Sequence, residues 1–325
     1  MILAMRFKFR TTQRLALLIV SACMWEASGQ PSSAGAAAGV QNHRLLGIVN
    51  AAVQSTLQQF AARKLESNQI AVTLVDLRDR TKPVRASFRG DVPIYPASVV
   101  KLFYLAAAHR WMEDGKLPET AEMGRAMRDM IVDSGNDPTS YIVDALTGTT
   151  SGPELPTPEV ESWTFKRNAI NRYFSSLSYT GINVNQKPWG DGPYGRERIF
   201  VGTNYGNRNQ LTTEATARLL TEMVQGRAVS PARSAAMLKL LERDPFKKTE
   251  EPDQANDFTG LALSPGAKLW SKAGWTSTTR HDAAYVELPG GEKFVLVTFT
   301  TSHSQEREII PTVAKAVISS LGNAK

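Results

Sequence analysis

The order in which strand-like and helix-like segments follow one another constrains this chain more than any other feature. Residues 70–77 (IAVTLVDL) and 84–88 are rich in β-branched side chains and predict two strands, separated by a turn over 78–83. Residues 269–275, 283–288 and 293–300 predict three more, the last two joined across Pro289-Gly290-Gly291 as a tight hairpin. Between the two groups, apolar residues recur at helical spacing over 98–113, 121–132, 138–146, 168–177, 213–225 and 231–242. An amphipathic stretch over 45–65 precedes the first strand, and another over 307–321 follows the last. Strands kept apart from helices do not build a parallel βαβ sheet. The pattern predicts an α+β fold: a five-stranded antiparallel sheet, the terminal helices on one face, and a mainly helical subdomain. The α/β part takes 42–97 and 265–325, and the helical part 98–264. A cleft between the helices and the last strands is where chemistry is expected.

Composition narrows the function classes. The chain has 325 residues, 42% hydrophobic, with a formal charge of only +7, so it can fold around a core. Arg6, Lys8, Arg10 and Arg14 lie in the first 23 residues, and with those set aside 34 basic residues face 31 acidic ones. No basic stripe remains, and nucleic acid is not an expected partner. His43, His109, His281 and His303 have no ligand-like spacing and there is one cysteine, so no metal or cofactor is expected.

That cysteine sits in a leader. Residues 1–14 are basic and free of acid, 15–20 (LALLIV) form an apolar core too short to span a bilayer, and Ser21-Ala22-Cys23 follow. The pattern predicts export, to the periplasm or to a membrane. Ala27-Ser28-Gly29 suits an ordinary signal peptidase. Val20-Ser21-Ala22-Cys23 resembles a bacterial lipobox, with Cys23 as the lipidated residue, and is the favoured reading because it holds the only cysteine. Residues 24–41 are expected to be a flexible linker, because 30–39 (QPSSAGAAAG) are small, polar and Gly/Ala-rich.

Three short patterns stand out in the mature chain: Ser98-Val99-Val100-Lys101, Ser134-Gly135-Asn136 and Lys272-Ala273-Gly274. Ser98 opens an apolar helix, and Lys101, three residues on, shares its face. A lysine kept neutral by apolar surroundings can take the serine proton, and backbone N–H groups at a helix start can hold an oxyanion. Taken singly, each pattern also has a plain structural reading: an N-cap beside a solvated lysine, a helix C-cap, and an edge-strand charge.

In this order, however, they resemble the S-x-x-K, S-x-N and K-[TS]-G signature of the serine β-lactamase and penicillin-binding protein superfamily. Residues 130–146 and 270–300 resemble class A β-lactamases in particular. The resemblance implies that Ser98 is the acylated nucleophile, Lys101 its general base, and Ser134 the proton relay to the leaving nitrogen. Lys272 supports that relay. Asn136 binds the substrate's side-chain amide, the N–H groups of Ser98 and Trp275 form the oxyanion hole, and Gly274 lines the strand beside it. The implied partner is a small β-lactam or a cell-wall peptide, handled by a monomer.

The departures carry information too. Gly135 replaces the family's usual Asp. Ala273 replaces a hydroxyl that would help hold the substrate carboxylate, a task Thr276, Ser277 and Arg280 could take over. No E-x-x-x-N stands where the family carries its deacylating Glu. Glu197, in the Gly-rich loop 185–209, is the nearest candidate base; its alternative is a solvated carboxylate paired to an arginine. Two further readings stay open beside a β-lactamase: a D,D-peptidase or related peptide or ester hydrolase, and a catalytically silent binder.

Overall fold

The computed structural model describes residues 41–247, 250 and 253–322. The leader, Cys23 and nearly all of the linker lie outside the described residues.

The sheet has six antiparallel strands where the sequence pattern predicts five. They are β1 (Ile70–Asp76), β2 (Val84–Phe88), β3 (Glu242–Arg243), β4 (Lys268–Trp275), β5 (Thr279–Glu287) and β6 (Lys293–Thr301), in the order β2-β1-β6-β5-β4-β3. The extra strand is two residues at the edge, Glu242 opposite Trp270 and Arg243 opposite Leu269. Such a piece has no side-chain periodicity to read, and in sequence it passes for the last residues of a helix. The first strand group joins the last through β1 and β6, in register from Ile70↔Thr300 to Asp76↔Phe294. Every residue of β1 is buried, because helices cover both sheet faces.

On one face pack α1 (His43–Gln59) and α10 (Ile309–Gly322), burying Leu45, Val49, Val53, Val313 and Val317 against Val72, Leu74 and Leu296. Asn42 caps α1 by accepting the Leu45 N–H at 3.1 Å. The opposite face carries the helical layer. Its elements are α2 (Lys101–Glu113), α3 (Ala121–Ile131), α4 (Asn136–Thr147), α5 (Thr157–Arg167), α6 (Ala169–Ser176), α7 (Gly195–Val201), α8 (Thr213–Val224) and α9 (Pro231–Leu241). Two of these helices have no counterpart in the sequence pattern. α5 begins inside a Pro- and Gly-rich stretch, and α7 is only seven residues long.

Helix α2 is the axis of this layer. Ten of its thirteen residues are buried, as a helix apolar on nearly every side must be. Its first residue is Lys101. The amine end of that side chain is therefore carried into the interior with the buried helix.

Candidate active site

Ser98 lies in a 3₁₀ turn, Ala97–Val100, that leads into α2. Ala97, just before it, is held at φ 46°, a left-handed conformation that a residue with a Cβ adopts only under constraint. Two contacts supply the constraint. Gly274 of β4 lies directly against the turn: a Cβ built there would stand 2.8 Å from the Pro96 carbonyl oxygen and 2.8 Å from the Ser98 nitrogen. His281, opposite Gly274 in the β4–β5 pairing, donates from Nε2 to the Tyr95 carbonyl at 2.9 Å while Nδ1 accepts the Thr300 N–H at 3.1 Å. Since Nδ1 must accept, the ring is neutral. Burial lowers its pKa to about 4. The close approach that Gly274 allows thus admits the nucleophile's own backbone.

The three motifs converge. Lys101 Nζ donates to the Ser134 carbonyl at 2.5 Å and to Asn136 Oδ1 at 3.0 Å, and stands 3.4 Å from Ser134 Oγ. Lys272 Nζ lies 2.9 Å from Ser134 Oγ on the other side. One hydroxyl therefore sits between two lysine amines contributed by a helix and a strand. Ser134 is itself left-handed, at φ 57°. Gly135, in place of the usual Asp, has a local reason: a Cβ there would meet the Pro138 ring at 2.7 Å.

The two lysines have neutral hydrogen-bond partners. Lys101 is fully buried and its pKa is lowered to about 7 by desolvation. Lys272, also fully buried, is pushed well below the usual lysine range, first by desolvation and then by the nearby Lys101 and Arg243, with Asp282 opposing. Among the described residues no carboxylate lies within ion-pair distance of either amine. Burial without a counter-ion makes an amine that can accept a proton near neutrality.

The flanking candidates fall differently. Trp275 ends β4 half-exposed, near Phe258. Thr276 spends its hydroxyl on the β4–β5 turn, accepting the N–H groups of Thr278 and Thr279. Ser277 gives its carbonyl to the Ser304 hydroxyl at 2.6 Å. Arg280 is buried, paired with Asp257 and stacked 4.1 Å over Phe258. Their placement makes them parts of the strand's end first.

Glu197 corrects the expectation of a solvated loop carboxylate. It is buried on α7, and Arg167 grips it with two hydrogen bonds, 2.6 and 2.9 Å. Lys187 stands 3.8 Å away and is paired with Asp144 at 2.6 Å. The sequence anticipates an arginine partner but not the burial, because Arg167 lies 30 residues upstream and only the fold brings it near.

No sequence signal points to Gln254. Its side-chain carbonyl accepts Lys272 Nζ and the Ala273 N–H, while its amide donates to the Val132 and Ile131 carbonyls at 2.8 and 3.2 Å. It follows a charged, featureless stretch, and no motif marks it. Among the described residues, no group of three His, Cys, Asp or Glu is placed to hold a metal ion.

Residues 160–321 match the model of a β-lactamase enzyme family. No curated relative matches the sequence. The chain is similar in structure to a β-lactamase from Sphaerobacter thermophilus, at a TM-score of 0.61 and 18% identity, covering 86% of this chain and 98% of that one. It is similar to the class A β-lactamase of the last common ancestor of Gram-negative bacteria, at 0.57 and 16%, covering 85% and 99%. It is also similar to a mutant of PBP-A solved as an acyl-enzyme complex with penicillin G, at 0.59 and 18%, covering 84% and 97%. At these identities the likeness establishes the fold.

Proposed function

We propose that this chain, a member of the serine β-lactamase and penicillin-binding protein superfamily, is a serine hydrolase that opens β-lactam amides through an acyl-enzyme on Ser98. The observation that carries this reading is the Ser134 hydroxyl held between two buried, counter-ion-free lysines. The neutral Lys101 amine takes the Ser98 proton as Oγ attacks the lactam carbonyl carbon. The oxyanion forms against the Ser98 and Trp275 N–H groups. The C–N bond then breaks as Ser134 gives its proton to the leaving nitrogen and recovers one from the Lys101 ammonium, which returns the base to its starting state. Lys272 keeps the Ser134 hydroxyl in place and favours its transient negative charge. Asn136 accepts from Lys101 through Oδ1, so its NH₂ remains to donate to a substrate amide carbonyl.

A second reading, a penicillin-binding D,D-peptidase or related hydrolase with the same acylation step, is favoured by one feature. Glu197 is committed to Arg167, and no carboxylate pairs with Lys101 among the described residues. A water for deacylation then lacks an evident base.

The test is an intact-mass time course with benzylpenicillin on the protein and on Ser98→Ala. A Ser98 adduct that clears with release of penicilloate supports the β-lactamase. An adduct that persists selects the second reading. Equal labelling of Ser98→Ala, or no adduct and no penicilloate with either protein, sinks the assignment and leaves a silent binder.

A further inference from the structure

One side chain ties the two walls of this site together, and it belongs to none of the three motifs. A lysine nitrogen offers three tetrahedral positions to hydrogen-bond partners. Those of Lys272 meet three: Ser134 Oγ at 2.9 Å, the Ala273 carbonyl at 2.7 Å, and Gln254 Oε1. The first lies on the helical wall and the second on the strand itself. The third comes from Gln254, which lies in sequence between β3 and β4.

The far end of Gln254 explains why the residue stays there. Its NH₂ donates to the carbonyls of Ile131 and Val132. Ile131 ends α3 and Val132 caps it, where carbonyls lose their intrahelical partners. Ser134 follows two residues later. Gln254 is almost wholly buried, so breaking either end would strand polar groups away from water. A single amide thus meets both carbonyls at the helix end that precedes Ser134, sharing that of Ile131 with the Arg243 guanidinium at 2.9 Å, and holds the amine that must meet Ser134. Neither aspartate nor glutamate could do both, since an ionised carboxylate cannot donate.

We propose that Gln254 is a positioning residue for acyl transfer: its carbonyl holds Lys272 Nζ on the Ser134 hydroxyl, and its amide anchors that hold to the end of α3. The inference rests on the acyl-enzyme reading for its kinetic consequence. The contact with Lys272 is independent of it.

The groups facing Lys272 define what a substitution does. Lys101 faces it from α2, Arg243 from β3 and Asp282 from β5. Gln254 is the neutral member of that ring. Gln254→Glu keeps the acceptor and nearly the same shape while adding a counter-ion, which raises the pKa of Lys272. Gln254→Leu removes both ends of the bridge.

The experiment measures the benzylpenicillin acylation rate against pH for the wild type and both variants. Alongside it, carbon-13 NMR of lysine-labelled protein follows the Lys272 titration, assigned by its loss in Lys272→Met. Gln254→Leu is expected to slow acylation by about 10- to 100-fold with little change in apparent affinity, since it loosens geometry and leaves the binding groups in place. Gln254→Glu is expected to move the Lys272 titration and the acylation profile upward together. If Gln254→Leu does not fold, the isosteric Gln254→Glu carries the test alone. Variants that lose only thermal stability, with the folded fraction acylating on the wild-type pH profile and Lys272 titrating unchanged, overturn the proposal. If the wild type is never acylated, the acyl-enzyme reading fails by itself. The Lys272 titration in Gln254→Glu still decides, supporting the positioning contact if it moves and overturning it if it does not.

Discussion

Two groups of buried charge, one around α7 and one beside Ser98, are built on opposite principles. Around α7, Arg167 and Lys187 are matched by Glu197 and Asp144, cation to carboxylate, with Ser151 bridging Lys187 and Glu197. Beside Ser98, Lys101 and Lys272 face one another across a hydroxyl, with carbonyls and side-chain amides for company. The first arrangement sets each cation against a carboxylate and fastens loop 185–209 to α4 and α5. The second leaves desolvation the dominant influence and thereby produces bases. Burial alone does not distinguish a structural ion from a reactive one; the sign of the nearest neighbour does.

The contrast can be broken at either end. Lys101→Met removes the proposed base and should lower acylation by about 10²- to 10⁴-fold, read from intact-mass kinetics. The same substitution should stabilise the fold. A buried lysine whose folded pKa is about 7 binds fewer protons than the unfolded chain between that value and the ordinary lysine pKa. Wild-type stability therefore rises with pH through that window. The variant's advantage, about 0.5–2 kcal/mol in denaturant titrations, should be largest at neutral pH and below and shrink as pH rises. A variant less stable than wild type at neutral pH would mean that Lys101 is not held at a cost.

Arg167→Met tests the other group. It strands the Glu197 carboxylate in the interior and should cost about 3–5 kcal/mol of unfolding free energy. Protein that remains folded should still be acylated at Ser98. Loss of acylation in excess of loss of folding would instead bind this cluster to the chemistry.

Gly274→Ala probes what holds the nucleophile turn between them. Its Cβ would press on the Pro96 carbonyl and the Ser98 nitrogen, so the turn must move. Overpacking of this kind costs about 1–3 kcal/mol. A displaced Ser98 should acylate about 10²-fold more slowly. Wild-type rates would show that the turn tolerates the shift.

Much of this arrangement is legible in the chain itself. Strand-rich ends around a helical middle announce the make-up of the sheet, because periodicity survives as a local signal. Ser98, Lys101, Ser134 and Lys272 stand in motifs of recognisable order, and the apolar run 99–108 already argues that hydrocarbon surrounds Lys101. The two-residue β3 and the seven-residue α7 are not legible, being too short to show a period. Glu197 can be read as paired to an arginine, yet not to which one. Gln254 and His281 carry no sign of their tasks.

What the sequence by itself determined were properties that neighbours along the chain can set. These are the segregation of strands and helices, the helix that opens after Ser98, and the order of the three motifs. Tertiary structure alone decided which side chains meet. It brought Lys272 to Ser134 across 138 positions, set Gln254 between their two walls, and gave Glu197 to Arg167. The reason is physical. Pairing and desolvation depend on distances through space, and a residue's charge is settled by whichever atoms the folded chain leaves beside it.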